Sequence, residues 1–499
     1  MQLTISQITE YTRALTIVPA RDPQTTIHKL CWDSRKLQPG MLFIALAGEV
    51  TDGNNYIIQA FEQGAAAVIA TRETTQEQRA VAQRHRAALL YAPNGVVALQ
   101  RLATEYRAML DIKVIGITGS SGKTSTKQFV AAVMQKAYIT VSSVGNQNNE
   151  IGLPATVLAA LPITEVLVVE MAMRGLGQIA QLCEIAQPQI GIITNIGTAH
   201  LELLGSQDNI AKAKAELIYA LPEGQGIAIL NGDDPFTPLI QQVAQTQQRD
   251  VTVMTYGLED HNDLQATQII YNKDGCATFD IRGIPADYPG DGQEIPMPVQ
   301  LHVPGSHSVY NALAAAAAGV CLGLTSHQIA QALEQTQAAP MRQVSHDLED
   351  GTLLIDDTYN ANPDSMKAAL EVLSRLDPNR LHVAVLGDMG ELGPQEALLH
   401  QQVGAMVSQT QTDVLITIGQ AARGIAQGAL AGGMDGACIV TCDSVEEALA
   451  ALVPYRKEAP VILVKASRVM GLERVVELLM AGYQPQLASD GQEGVEATC

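Results

Sequence analysis

Gly116-Ile-Thr-Gly-Ser-Ser-Gly-Lys-Thr124 follows the apolar pair Val114-Ile115 and opens a stretch, Ser125 to Lys136, that reads as a helix. A chain that turns through glycines from strand into helix lets backbone N–H groups approach a phosphate closely, and the helix N-terminus adds a field that favours anions. Lys123 supplies a point charge for terminal phosphates, and the Thr124 hydroxyl is a ligand for Mg²⁺. Strict P-loop spacing puts a glycine five residues before the Gly-Lys pair. Ile117 stands there, and the glycines fall at Gly116 and Gly119 instead. The turn still predicts a site for ATP or GTP, on a loop of non-standard spacing.

From Val114 onward the pattern is regular. Apolar runs Val114–Thr118, Val166–Val169, Ile190–Thr194 and Ile227–Leu230 alternate with helical periodicity, the pattern of a parallel sheet covered on both faces. Ala266–Tyr271 and Ala277–Ile281, flanking Asn272-Lys-Asp-Gly275, predict a hairpin, and Tyr288–Pro298 reads as an exposed loop. The Ala-rich run Ala312–Leu324 is too short to span a bilayer and reads as a buried helix.

On either side of this block lie two further units. Residues 1–110 carry short strand-like runs, Met41–Ala47 and Ala65–Thr71, between helical stretches. Residues 335–484 hold Leu353–Ile355, Val383–Leu386, Val414–Ile418 and Val461–Val464, a second doubly wound α/β pattern. The fold expected is α/β in three domains: a small N-terminal α/β domain (1–110), a central parallel-sheet nucleotide domain (111–334) and a C-terminal Rossmann-like domain (335–484). Residues 485–499 lack periodicity and read as a frayed tail.

Composition narrows the class. A length of 499 residues suits about three domains. The net charge of −21 argues against a nucleic-acid partner. Seven scattered cysteines complete no zinc pattern and read as reduced thiols of a cytosolic protein, and the N-terminus shows neither a basic nor an apolar leader.

Ligands of an open parallel sheet sit at the carboxyl ends of its strands. Glu170 ends one apolar run, Asn195 ends another, and His200 follows five residues later. With Thr124 these residues suit one or two Mg²⁺ ions bridging phosphate oxygens. Lys212 reads as solvated and paired with Glu216 one turn on; periodicity alone assigns Lys214 no role. Asp356-Asp357-Thr-Tyr-Asn-Ala-Asn-Pro363 reads locally as an Asx-rich turn that caps a helix.

The combination resembles the Mur ligases, the ATP-dependent amide-forming enzymes of peptidoglycan precursor synthesis. The likeness runs over nearly the whole chain. It includes Asp33-Ser34-Arg35 with Pro39-Gly40, Gly119–Thr124, Gly145-Asn-Gln-Asn-Asn-Glu-Ile-Gly152, Glu170-Met171 and Thr194-Asn-Ile-Gly197 with His200. It continues through Ala211-Lys-Ala-Lys-Ala-Glu216, Tyr359-Asn-Ala-Asn-Pro363, Leu386-Gly-Asp-Met-Gly-Glu-Leu-Gly393 and Val464-Lys-Ala-Ser-Arg468.

The resemblance implies a cytoplasmic, monomeric ligase without membrane or nucleic-acid partners, acting on UDP-N-acetylmuramoyl-tripeptide and D-alanyl-D-alanine and serving cell-wall synthesis, cell shape and division. It implies ATP held by Gly119, Ser120, Ser121, Gly122, Lys123, Thr124 and Ser125, with Asn311 at adenine, Asp357 at ribose and Arg342 at the γ-phosphate. Thr124 and Glu170 would hold one Mg²⁺ and His200 a second. Lys214 falls where the family carries a carbamylated lysine, itself a metal ligand. Lys123, His200, Lys214 and Arg342 are thus the implied catalytic set. Ser34, Arg35, Asn148 and Asn149 would hold the UDP-muramoyl end, and Tyr359, Asn360, Asn362 and Asp388 the incoming dipeptide. The family's Gly-x-His-Asn-x-x-Asn reads Gly305-Ser-His-Ser-Val-Tyr-Asn311 here, so Ser308 replaces an adenine-side Asn, implying a weaker nucleotide contact. Two other readings stay open: another Mur-type or folylpolyglutamate-type ligase, and a nucleotide-driven switch ATPase.

Overall fold

The computed structural model describes residues 1–48, 51–246, 250–283 and 297–483. Most of the expected exposed loop at 288–298, and the tail at 485–499, lie outside these residues; Met297 and Pro298 begin a strand.

The central unit is a nine-stranded sheet. Strand Lys113–Thr118 lies between Val166–Glu170 and Ile190–Ile193, with Thr140–Ser142 beyond the first and Ile227–Asn231 and Thr252–Gly257 beyond the second, all parallel. The predicted hairpin forms from Leu264–Tyr271 and Cys276–Arg282; its first strand joins Thr252–Gly257 in parallel, and its second pairs antiparallel with Met297–Pro304 at the sheet edge. Alternate side chains of a strand point to opposite faces. Accordingly Ile115 and Ile117 join one core while Val114 joins another.

Helices Lys123–Met134 and Ser306–Cys321 cover the Ile115 face. Ala312 to Ala318 are fully buried there, and Leu313 is the one residue among them wider than alanine. Methyl side chains let the second helix lie close to its neighbours. The expected buried helix is therefore present, displaced several residues toward the N-terminus.

The N-terminal unit is a five-stranded sheet ordered Leu15–Val18, Ala88–Tyr91, Ala67–Ala70, Leu42–Ile44, Leu30–Cys31, antiparallel only at its first pairing. The C-terminal unit is a six-stranded sheet ordered Val344–Asp347, Leu353–Asp357, Val461–Lys465, His382–Gly387, Val414–Ile418, Ile439–Cys442, likewise antiparallel only at its first pairing. Separate apolar clusters on its two faces make it doubly wound, as expected. No helix among the described residues is long and apolar enough to cross a membrane.

Two local expectations fail. Glu216 does not serve Lys212: its carboxylate accepts hydrogen bonds from the backbone N–H groups of Gly177 (2.6 Å) and Ala180 (3.0 Å), at the start of helix Gln178–Ala186. Free N–H groups and the helix field outcompete an exposed lysine for that carboxylate. Cys31, Cys183, Cys276, Cys321 and Cys442 are free thiols, but Cys438 is disulfide-bonded.

Candidate active site

The phosphate loop is held open by its neighbours in the sheet. Asn195, just past strand Ile190–Ile193, accepts from the backbone N–H groups of Ser120 (3.1 Å) and Ser121 (2.9 Å) through Oδ1 and donates to Ser121 Oγ through Nδ2 (2.8 Å). Thr194 Oγ1 donates to the Ser121 carbonyl (2.6 Å). Asn195 is thus a buttress of the loop, not the metal ligand that its position suggested: its amide is already used. A Cβ on Gly119 would collide with Thr194 Oγ1, so only glycine lets the loop pass this close. Gly122 caps helix Lys123–Met134 at φ 77°, a left-handed geometry that glycine adopts freely.

Along the start of that helix the side chains divide. Lys123 turns back over the loop, donating to the carbonyls of Gly119 (2.8 Å) and Ser120 (3.4 Å). Burial is the main cause of its lowered pKa, countered by Glu170. Thr124 Oγ1 donates to Glu170 Oε2 (2.8 Å) and accepts from Arg342 (3.1 Å). The Glu170 carboxylate is 2 % exposed and also accepts from Asn148 Nδ2 (2.8 Å), with Lys127 Nζ 3.6 Å away. Sequence reasoning gave Lys127 no role, although it lies one helical turn after Lys123 and therefore shares its face.

Deeper in the central unit, Lys214 is buried, and its pKa falls well below the ordinary lysine value, first from burial and then from the charge of Lys123. His200, in a left-handed conformation (φ 65°), lines the cavity, and its Nδ1 lies 2.9 Å from Glu391 Oε2. Burial lowers its pKa more than Glu391 raises it, and its Nδ1 makes no hydrogen bond.

A cavity of about 490 Å³ separates the central and C-terminal sheets. Ser120 to Ser125, Asn148, Glu170, His200 and Asn311 line one side; Arg342, Asp357, Tyr359, Asn360 and Asn362 line the other. Parallel strands Leu353–Asp357 and Val461–Lys465 bring Asp357 and Lys465 into register at their carboxyl ends, where Lys465 Nζ meets Asp357 Oδ2 at 2.8 Å. Burial raises the Asp357 pKa, and Lys465 is the main group opposing that rise. Lys465 lay unassigned in the sequence, although a lysine ending an apolar run was the available signal. The Arg342 guanidinium stacks on the Tyr359 ring, 4.2 Å from its centroid. Asn362 caps helix Pro363–Arg375 by accepting from Ser365 N–H (2.8 Å), as the Asx-rich reading expected.

Other residues named from the sequence lie elsewhere. Asn149 Oδ1 accepts from Gly152 N–H (2.9 Å) at the start of helix Gly152–Ala159. Asp388 Oδ1 accepts from Ala422 N–H (2.7 Å) inside the C-terminal unit, away from the cavity wall. Ser34 and Arg35 belong to the N-terminal unit, where Arg35 pairs with Asp33 at 2.9 Å. Ser308 is fully buried and donates to the Pro304 carbonyl (2.7 Å). It is absent from the cavity wall.

Asn311 Oδ1 accepts from Thr126 (2.8 Å), and its buried Nδ2 has no partner, an amide donor left for a ligand. Among the described residues no three His, Cys, Asp or Glu side chains converge as a metal cluster. The set Thr124 hydroxyl plus Glu170 carboxylate still fits Mg²⁺, which takes few protein oxygens and fills its octahedron with phosphate and water.

Family models for the Mur ligase family catalytic domain, the Mur ligase middle domain and the Mur ligase glutamate ligase domain match residues 26–107, 117–319 and 341–468. The UDP-N-acetylmuramoyl-tripeptide–D-alanyl-D-alanine ligase of Bacillus subtilis is 37% identical over 477 residues, covering 96% of this chain and 98% of its own. The Escherichia coli protein of that name is 32% identical over 482 residues, with the same coverage. Among solved structures, MurF from Acinetobacter baumannii is similar with a TM-score of 0.83 at 30% identity, covering 96% of this chain and 99% of that one. The MurF ligase of Thermotoga maritima, in complex with ADP, has a TM-score of 0.76 at 28% identity, covering 91% and 97%.

Proposed function

Because the chain belongs to the Mur ligase family, we infer that it joins D-alanyl-D-alanine to UDP-N-acetylmuramoyl-tripeptide, converting ATP to ADP and phosphate in peptidoglycan precursor synthesis. The observation that carries this reading is end-to-end likeness to relatives of that activity, at 37% identity over 96% of the chain. The cavity supports it: phosphate-binding groups face a polar wall of the C-terminal unit across one space.

In the first step the tripeptide carboxylate attacks the γ-phosphate, giving an acyl phosphate and ADP. In the second the dipeptide amine attacks the acyl carbon and phosphate leaves. Two anions must meet first, so charge neutralisation comes before bond making. Lys123 and Arg342 clamp the phosphates, Thr124 and Glu170 hold one Mg²⁺, and His200 holds a second. Bound Mg²⁺ supplies Lewis-acid neutralisation of the phosphate oxygens. The loop from Gly119 to Ser125 cradles phosphate through its N–H groups, the free Nδ2 of Asn311 donates to adenine, and Asp357 accepts from ribose.

Burial lowers the Lys214 pKa and so favours the neutral amine, which adds CO₂ and loses a proton to give a carbamate that would be a second anionic metal ligand. Tyr359, Asn360 and Asn362 receive the dipeptide, with Asp388 acting from behind through the loop that follows strand His382–Gly387. Ser34, Arg35, Asn148 and Asn149 serve the UDP-muramoyl end. On this reading residues 1–110, 111–334 and 335–484 bind UDP-muramoyl substrate, ATP and dipeptide respectively. One chain lines the cavity, which fits a monomer; a cytoplasmic place and a product that feeds cell shape and division follow from the family reading.

Mass spectrometry of a reaction with ATP, UDP-MurNAc-tripeptide and D-Ala-D-Ala tests the reading; the pentapeptide product is expected, and phosphate release with diamino acids or glutamate instead would overturn it. Lys214→Ala and CO₂-free buffer should both depress turnover, with bicarbonate rescuing only the second.

A further inference from the structure

The proposed chemistry gives no part to Lys127, one turn after Lys123 on helix Lys123–Met134. Its side chain is only 6 % exposed, and it reaches a loop 18 residues further along the chain, where Nζ donates to the Gly145 carbonyl (3.1 Å).

We propose that Lys127 is a positioning residue: it fastens the loop from Gly145 to Gly152 onto the helix that follows the phosphate loop, and so couples that loop to nucleotide. The inference rests on the reading of Asn148 and Asn149 as contacts for the UDP-muramoyl end. Three side-chain bonds and two stretches of backbone close a ring. Thr124 Oγ1 donates to Glu170 Oε2 (2.8 Å), Asn148 Nδ2 donates to Glu170 Oε1 (2.8 Å), and Lys127 holds Gly145. The helix joins Lys127 to Thr124, and the loop joins Gly145 to Asn148, whose carbonyl accepts from Ala172 N–H (2.9 Å). In a closed ring no member moves alone. A ligand that fixes Thr124 and Glu170 narrows the positions open to Asn148, and the coupling runs equally in reverse.

The two ends of the loop are held differently. At the far end Asn149 Oδ1 accepts from Gly152 N–H (2.9 Å), and a Cβ on Gly152 would collide with the Gln147 backbone, so glycine lets the chain fold back there. At the near end Val144 is 74 % exposed and is no apolar anchor, while Gly145, at φ 57°, has no side chain to offer. Thr156 Oγ1 reaches Gln147 Oε1 only at 3.4 Å. Lys127 takes hold of the near end through a backbone carbonyl. A methionine would fill the same volume without the cost of desolvating an amine; what the amine alone supplies is the donor. Asn146 and Asn148 both line the cavity, so the fastened stretch forms part of its wall.

Two variants of the full chain test the assignment, Lys127→Met and Lys127→Gln. Amide hydrogen exchange of residues 143–149, followed by mass spectrometry with and without saturating ADP, reads the loop and needs no turnover. In the parent, ADP should slow exchange there by about threefold or more. Without nucleotide, Lys127→Met should exchange about 10-fold faster than the parent, and ADP should give it no protection. In steady-state assays Lys127→Met should raise KM for UDP-MurNAc-tripeptide about 10-fold, with kcat and the KM for ATP changed by no more than about threefold. Lys127→Gln keeps a donor on a shorter side chain and should fall between the other two.

Parental exchange in Lys127→Met, or ADP protection that survives the substitution, would overturn the proposal. A rise in the KM for ATP equal to that for the muramoyl substrate would also overturn it, by assigning Lys127 to the phosphate site alone. ADP that left residues 143–149 of the parent unprotected would do the same, and that result needs no variant to fold. If no pentapeptide formed, the ligase reading would fail, while the exchange measurements would still judge Lys127.

Discussion

The N-terminal and C-terminal units both rest on the central sheet, but one is fused to it and the other is docked. Leu3, Ile8, Leu42, Ile69, Leu99 and Tyr106 share one continuous apolar cluster with Leu153, Leu167, Val169 and Leu217 of the central unit. The connecting backbone is fastened as well: the buried Arg107 guanidinium donates to the carbonyls of Ala186 (2.9 Å), Leu110 (2.9 Å) and Ile112 (3.3 Å). By contrast, the two large apolar clusters of the C-terminal unit contain no residue numbered below Ile355 or Leu354.

That unit meets the central one mainly through polar and charged contacts: Arg342 to Thr124, Asp364 to Thr198, Glu391 to His200, and Arg375 stacked on Tyr271. Arg342 in the connecting segment lies between two left-handed residues, Met341 (φ 58°) and Gln343 (φ 56°). Burying apolar area makes a joint that opens only with unfolding, whereas exposed polar pairs contribute little and exchange with water. The reacting groups lie along the second kind of joint. An acyl phosphate must be shielded from water yet released as product, and a joint that opens and closes serves both needs.

Four experiments would break or sharpen this contrast. The largest effect is expected on the central side of the docked joint: Lys123→Ala should lower turnover by about 10²–10³-fold in a coupled ADP assay while leaving the melting temperature near that of the parent. A near-parental rate would remove Lys123 from the chemistry.

His307 gives a pH signature in the same joint. Burial first, then Lys465 of the C-terminal unit, depress its pKa from 6.5 to about 4. As pH falls below 6.5 the unfolded chain takes up this proton first, so the contribution to stability is full above 6.5 and is lost progressively toward 4, by at most about 3 kcal/mol. Urea unfolding of His307→Gln should show a flatter dependence across that window than the parent; identical slopes would refute the attribution.

Arg107→Ala tests the fused joint. It strands several buried carbonyls and should cost about 2–3 kcal/mol in denaturant unfolding, with turnover of the folded fraction little changed. A loss confined to turnover would mean that this joint also moves. The smallest effect belongs to Asp364→Ala, which removes one exposed clasp. It should leave global stability within about 1 kcal/mol and increase proteolysis near residues 336–341, where the docked unit is attached.

Legibility followed the same division. The regular apolar runs Val166–Val169 and Ile190–Thr194 announced parallel strands because burial on both faces demands continuous hydrophobic sequence, and the strands formed within a residue or two of those bounds. Glu170 and His200 were legible as polar residues just past strand ends. Lys214 was not, since Ala-Lys-Ala-Lys-Ala reads as a solvated face; its role was suggested only by resemblance, and its burial by the fold. Asn195 and Glu216 misled for one reason: a backbone N–H with no partner captured each side chain, and sequence alone does not show where such groups fall.

The sequence by itself determined three α/β units and a phosphate loop, because strand burial and helix initiation depend on residues only a few positions apart. Tertiary structure decided that Asp357 faces Lys465, that Arg342 reaches Thr124 from another unit, and that Glu391 stands against His200. Those pairings join residues about 100 to 220 positions apart, and hydrogen bonds act over about 3 Å, so only the packing of whole sheets brings the partners within range.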